Sequence, residues 1–277
     1  MTCTQLKTHV YTLLAALAFV PLWVSAGQAD TDSYAGRAAI VYSPAKLPVS
    51  GSRALVVVLH GGGGNAERIA SQRSESALNM NAVAEDNGFI VAYLNGTPVT
   101  RMLGADKLGW NAGRCCGQPA EHKVDDVAYI QAAVEQIAEK YGVDRHKIYG
   151  VGHSNGAMMT QRVMCETNLY AAAVPVSGTL ETGATACPDS QGKRLMAMHG
   201  ANDQNVPING GKGKGLAHVV FSSEAATAKV WKDSGATYEL QIIPNAEHSV
   251  DSINKQLTTE GQTLGQRVAK FFGLMGS

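Results

Sequence analysis

Apolar residues beyond the first thirty positions fall into short runs separated by stretches of helical spacing. Residues 54–59 read Ala-Leu-Val-Val-Val-Leu without a polar interruption. Such a run predicts a strand buried on both faces, as in the middle of a parallel sheet. Arg37–Tyr42, Phe89–Leu94, Lys147–Val151, Ala171–Val176, Arg194–Met198 and Thr237–Ile243 read as further strands. Between them, Ser76–Asn87 places Leu78 and Val83 at helical spacing and stops at Gly88. Asp125-Asp126 opens a helix that runs to Tyr141 and ends at Gly142, with carboxylates at its positive end. Asn155–Glu166, Ser223–Ser234 and Glu260–Phe272 complete the predicted helices. Strands alternating with helices predict βαβ units. The expected fold class is α/β, with a mostly parallel central sheet and helices on both faces. Asn95–Lys123 has neither pattern and reads as one long loop, a feature that is often functional.

The first thirty residues differ. Lys7 and His9 precede an apolar run from Val10 to Val24, and small residues follow through Ala29. This predicts a signal peptide over 1–26, cleaved after Ala26 or Ala29, and a secreted single domain over 30–277. The run is short for a membrane span and Pro21 interrupts it. Lys+Arg and Asp+Glu are each 23, with no run of like charge, which speaks against nucleic acid as a partner. Loss of Cys3 with the leader leaves Cys115, Cys116, Cys165 and Cys187. Their spacing does not match a metal site, and export predicts two disulfides, of which three connectivities are open.

Candidate chemistry sits where strands end. Ile148–Ala157 runs strand, turn, helix, with Ser154 at the turn inside Gly152-His153-Ser154-Asn155-Gly156. A side chain at either flanking glycine would clash in so tight a turn. His60-Gly61-Gly62-Gly63-Gly64-Asn65 follows the most apolar strand. A tetrahedral intermediate needs two preorganised donors for its oxyanion. The loop resembles the HGG-type loop of α/β-hydrolases, which implies Gly62 N–H as one donor and Asn155 N–H, after the nucleophile, as the other. His60 is expected to be structural. Asp203 follows the strand Arg194–Met198, and His248 follows Thr237–Ile243. Ser154, Asp203, His248 is the chain order of an α/β-hydrolase triad. His122, His146 and His218 lack a strand-end position. Gly210–Gly215 carries Lys212 and Lys214 but lacks the ending of a phosphate loop.

Together, Leu59-His60-Gly61, Gly109-Trp110-Asn111-Ala112-Gly113, Cys115-Cys116-Gly117, Val124-Asp125-Asp126-Val127, the elbow, Val176–Leu180 and His199-Gly200 with Asp203 and Val206-Pro207 resemble the secreted feruloyl esterase and polyhydroxybutyrate depolymerase group of α/β-hydrolases. The resemblance spans about Ala54 to Phe272. It implies the α/β-hydrolase fold and ester hydrolysis through an acyl-enzyme, on a small or polymeric ester, with no metal or organic cofactor. It also implies that Trp110 and the Cys115-Cys116 loop lie near the acyl pocket; His153 joins Trp110 as a pocket candidate. Two departures stand out. The oxyanion loop is a bare glycine run, and Ser249-Val250 follows His248 where the group often has Trp. Other readings are an acetyl-xylan esterase, a lipase or other polyester hydrolase, a peptidase of the same fold, or a non-catalytic binding protein on this scaffold.

Overall fold

The computed structural model describes Met1 and residues 26–275, apart from 101–103, 105 and 216. The apolar run of the expected signal peptide lies outside the described residues. The rest forms an eight-stranded sheet: β1 (Gln28–Tyr34), β2 (Arg37–Ser43), β3 (Arg53–Leu59), β4 (Ile90–Leu94), β5 (Val143–His153), β6 (Ala172–Val176), β7 (Arg194–Gly200) and β8 (Thr237–Ile243). The spatial order is β1-β2-β4-β3-β5-β6-β7-β8. The β1–β2 and β2–β4 pairings are antiparallel, and the six strands from β3 to β8 run parallel to one another.

The uninterrupted apolar run is explained by its position. Leu55, Val57 and Leu59 of β3 enter one core and Val56 and Val58 enter the other, as the two-residue period of a strand requires. The first core is closed by α4 (Asp126–Tyr141), α5 (Asn155–Glu166) and α6 (Glu224–Asp233), through Ile130, Val134, Val163 and Trp231. The second is closed by α1 (Ala66–Ala70), α2 (Asn81–Asn87), α7 (Val250–Thr259) and α8 (Leu264–Phe271), through Ile69, Ala84, Ile253 and Val268. Helices therefore cover both faces, as the alternation predicts.

Three boundaries differ from expectation. The strand β1 is missed because its residues, Gln-Ala-Asp-Thr-Asp-Ser-Tyr, show no apolar alternation on an edge that is mostly solvated. The predicted helix Ser76–Asn87 is broken: a single 3-10 turn over Ser76–Leu78 precedes α2. Asn79 is extended, and Met80 N–H donates to Tyr93 Oη at 2.9 Å instead of continuing a helix. The predicted closing helix starts late, at Leu264, because Thr263 and Gln266 form a capping box, and α7 before it, with Ser249 as its cap and Val250, Ile253 and Leu257 on its buried face, is a further helix that the expected elements omit.

The segment 95–123 is held at several points. It contains a two-residue strand pairing (Thr97–Pro98 with Leu108–Gly109) and α3 (Gly117–Glu121). Asp125 caps α4 by accepting Ala128 N–H. Asp126 is buried instead of facing the helix end: it takes Arg37 at 2.6 Å and Asn111 N–H at 2.7 Å, tying β2 and the loop to one carboxylate. Of the open connectivities, the structure pairs Cys115 with Cys116 and Cys165 with Cys187. The second pair ties the C-terminal end of α5 to the segment before β7 across a sequence separation of 22. Chain-entropy bookkeeping for a loop of that size gives about 3 kcal/mol. Replacing Cys165 and Cys187 together by Ser is expected to lower unfolding stability by about that amount, read from denaturant midpoints; an unchanged midpoint would show that the link contributes nothing.

Candidate active site

The turn between β5 and α5 sets the site. Ser154 adopts φ 52° and ψ −120°, a conformation that a side chain tolerates only under constraint. The constraint is close packing. A Cβ on Gly152 would fall onto Gly156 O, and a Cβ on Gly156 would fall onto Leu59 O and His60 O. The glycines thus let α5 start directly against the end of β3, and Ser154 N–H donates to Val176 O at 2.9 Å across to β6. This arrangement sets Ser154 in a cavity of about 570 Å³ that Gly62, His153, Asn155 and His248 also line.

Three sequence-predicted residues meet there. Ser154 Oγ–H donates to His248 Nε2 at 2.9 Å, and His248 Nδ1–H donates to Asp203 Oδ2 at 2.8 Å. The other carboxylate oxygen of Asp203 accepts Asn205 N–H and Val206 N–H, both at 2.9 Å. Ser249 caps α7 by accepting Ser252 N–H at 3.1 Å, and Val250 is buried, so the residues after His248 anchor the helix that follows it. Gly62 and Asn155 approach each other: a Cβ on Gly62 would sit 3.7 Å from Asn155 Cβ. Their backbones flank Ser154, and Asn155 stands at the start of α5, where the helix dipole favours negative charge.

Trp110 corrects an expectation. It is fully buried and does not line the cavity. Its indole N–H donates to His60 O at 2.9 Å, and its ring packs on His60 and Tyr129. Trp110 N–H donates to Asn155 Oδ1 at 2.7 Å, and Asn155 Nδ2–H returns to Trp110 O at 3.0 Å. Trp110 therefore backs the glycine loop from behind, and the Asn155 side chain binds the loop that carries it. The cavity's apolar lobe comes from Val99, Cys116, Met158, Ala217 and Phe221. His60 is structural, as expected: Nδ1–H donates to Gly61 O at 2.8 Å and Nε2 accepts Gly96 N–H at 3.1 Å, the pattern of a neutral ring. Burial pulls its pKa down further.

Two other histidines have acceptors at both nitrogens. His199 Nδ1–H donates to Glu224 Oε1 at 2.7 Å, and Nε2–H points to Val206 O at 2.8 Å, with Asp203 Oδ2 at 3.2 Å. Tyr238 Oη–H donates to the other oxygen of Glu224 at 2.6 Å. His153 Nδ1–H donates to Glu75 Oε1 at 2.5 Å, and Nε2–H to His248 O at 3.0 Å. Neither Glu75 nor Glu224 has a motif around it, so no sequence signal marks them; His199 lies within the His-Gly segment that the resemblance uses.

Electrostatics follow from these contacts. Burial alone would strip His199 of its proton, but Asp203 and Glu224 outweigh it and raise the pKa to about 9. Burial opposes a charge on His153 too, and the Glu75 carboxylate reverses that into a net upward shift. Burial pushes Asp203 up, yet bonds from His199 and His248 leave it well below the usual carboxylate range. His248 is lowered, by burial first and by the nearby His153 and His199, against the pull of Asp203.

The raised histidines make a sign-definite statement about stability. A group whose pKa is higher folded than unfolded, where it is about 6.5, stabilises fully below that pH and loses its contribution as pH rises through the folded value. Urea midpoints of the native protein are expected to fall between about pH 6.5 and about 9. A midpoint that rises across this window would contradict a protonated His199.

Comparison with known proteins agrees with the architecture. The family model described as "Prolyl oligopeptidase family" matches residues 76–191. The chain is 28% identical over 176 residues to feruloyl esterase B of Piromyces equi, covering 61% of this chain and 30% of that protein. It is 31% identical over 160 residues to oxidized polyvinyl alcohol hydrolase of a Pseudomonas species, covering 51% of this chain and 41% of that one. The chain spans less than half the length of the first curated relatives it matches. The crystal structure of the Bacillus cereus carboxylesterase superposes with a TM-score of 0.55 at 16% identity, over 85% of this chain and 92% of that one. Sheet order, the strained elbow and the structural superposition together show that the chain has the α/β-hydrolase fold, and proteins named as esterases are among those it is similar to.

Proposed function

We propose that the protein is a secreted serine hydrolase of carboxylic esters that works through an acyl-enzyme. The observation that carries this reading is the hydrogen-bonded line from Ser154 Oγ through His248 to Asp203, at 2.9 and 2.8 Å. Ser154 attacks the ester carbonyl as His248 takes its proton. Asp203 holds the ring with Nδ1 protonated and stabilises the imidazolium that forms. Gly62 N–H and Asn155 N–H receive the oxyanion. His248 then protonates the leaving alcohol and activates water, which releases the acid and restores Ser154. This chemistry uses side chains and backbone groups alone.

The apolar lobe formed by Val99, Met158 and Phe221 suits an apolar or aromatic acyl group, and a feruloyl esterase among the relatives supports that choice. Polyester substrates such as polyhydroxybutyrate belong in the same comparison. Secretion is supported by the charged start, apolar run and small residues of 1–29 and by the paired cysteines. Cleavage after Ala26 leaves β1 whole, whereas cleavage after Ala29 removes its first two residues.

A fluorophosphonate probe is expected to label the native protein and not Ser154→Ala, and the substitution should lower ester turnover by at least about 10⁴-fold. Nitrophenyl esters of increasing chain length, methyl ferulate, a polyester film and a peptide substrate then separate the classes. Turnover of peptide without turnover of any ester would overturn the reading. Because the base works only when neutral, kcat/KM is expected to fall on the acid side with a midpoint below about 6.5; a midpoint well above that value would exclude His248 in its lowered state as the base.

A further inference from the structure

Glu75 stands at a turn, in the left-handed region with φ 50°, in a stretch that carries no motif. Its carboxylate nevertheless reaches two functional segments directly and a third through His153. Oε1 accepts Gly61 N–H at 2.9 Å, in the glycine loop. The same oxygen accepts His153 Nδ1–H at 2.5 Å, in the residue before the nucleophile. His153 Nε2 lies 3.0 Å from His248 O, the backbone carbonyl of the proposed base. A carbonyl oxygen only accepts, and an ionised carboxylate only accepts, so both ring nitrogens carry hydrogen and His153 is an imidazolium. Glu75, His153 and two backbone groups thus form one continuous chain from the oxyanion loop, past the elbow, to the base loop.

The glycine run is shaped around this carboxylate. A Cβ on Gly61 would lie 2.8 Å from Glu75 Oε1, and one on Gly64 would lie 2.6 Å from Oε2. The bare glycines that depart from the family pattern are therefore the space into which Glu75 packs. The turn itself has a second fastening to the base segment. Ser76 Oγ–H and Ala77 N–H both donate to Asp251 Oδ1, at 2.9 and 3.1 Å, in the first turn of the helix that follows His248.

We propose that Glu75 is a positioning residue which, acting through His153, holds the oxyanion loop and the His248 loop in register around Ser154; this rests on the ester-hydrolase reading above. Loop segments carry no such precision by themselves, and a displacement well below the width of an atom is costly at a reacting centre. A charge-assisted hydrogen bond to each loop supplies that precision. The pair also has an electrostatic consequence. The His153 ring centroid lies 4.9 Å from that of His248, so its positive charge disfavours a proton on the base. The titratable groups around His153 are Glu75 from the turn, His248 from the base loop and Asp203 from the loop after β7, with His60 beyond Glu75.

The test compares Glu75→Gln, Glu75→Asp, His153→Gln and the double variant Glu75→Gln/His153→Gln with the native protein on 4-nitrophenyl acetate. Thermal melting and fluorophosphonate labelling are read on the same samples. Loss of a hydrogen bond to a charged group is expected to lower kcat by about 10- to 100-fold with little change in KM. Glu75→Asp should recover part of that loss, and the double variant should be no worse than the poorer single one. The acid-side midpoint of kcat/KM should move up in Glu75→Gln, because a neutral His153 no longer opposes protonation of His248. A folded Glu75→Gln with native kcat and an unmoved midpoint overturns the proposal, as does a defect confined to KM or a double variant whose loss is the product of the singles. Should Glu75→Gln not fold, Glu75→Asp and His153→Gln carry the same kcat and pH criteria. Failure of the native protein to label or turn over ester removes the hydrolase reading itself, an outcome distinct from all of these.

Discussion

The close approach of α5 to the end of β3 is the contact on which the rest of the site depends. Two glycines, Gly152 and Gly156, leave no Cβ between Ser154 and the backbone beneath it. The first turn of α5 therefore starts almost on Leu59 O and His60 O, and Ser154 is forced to φ 52°. This strain is sustained because the strand residues around the elbow are fully buried: β3, β5 and β6 place Val57, Val58, Val151 and Val174 in the two cores. The same approach aligns the start of the helix with the glycine loop, so one packing event sets both the serine hydroxyl and the backbone around it.

Around that elbow, charge is arranged in layers. Asp203 carries its negative charge between His248 and His199, and His199 is in turn held by Glu224 and Tyr238. On the other side of His248, His153 and Glu75 form a second buried ion pair. Buried pairs of this kind are costly to desolvate, and each partner here is fixed in orientation by the other. Positive charge on His153 and His199 disfavours a proton on His248, while Asp203 accepts its Nδ1–H and so holds the ring with Nε2 toward Ser154. Trp110 belongs to the same support layer: it buttresses the glycine loop through His60 O and is bound in return by the Asn155 side chain.

The legibility of each element in the sequence follows from how local its cause is. The strand β3 was readable because burial on both faces leaves a one-dimensional signature, six apolar residues in a row. The helix α4 was readable from its cap and its terminating glycine, both local features. By contrast β1 owes its existence to pairing with β2, seven residues in register, and its own polar residues say nothing of it. The break between the 3-10 turn and α2 is imposed by Tyr93, a residue from a different strand.

For the site, the chain alone determined the strained serine turn, the glycine loop and the order of serine, carboxylate and imidazole, because each lies next to a strand end and its identity is dictated by local sterics or chemistry. Only the tertiary structure decided that Trp110 supports the site from behind, which of the three cysteine connectivities forms, and that Glu75 and Glu224 take part at all. The physical reason is the same in each case. A buried carboxylate is specified by donors that arrive from distant segments, 14 residues away for Gly61 and 78 for His153 in the case of Glu75. No spacing along the chain records such a meeting; it exists only once the sheet has brought the loops to one edge.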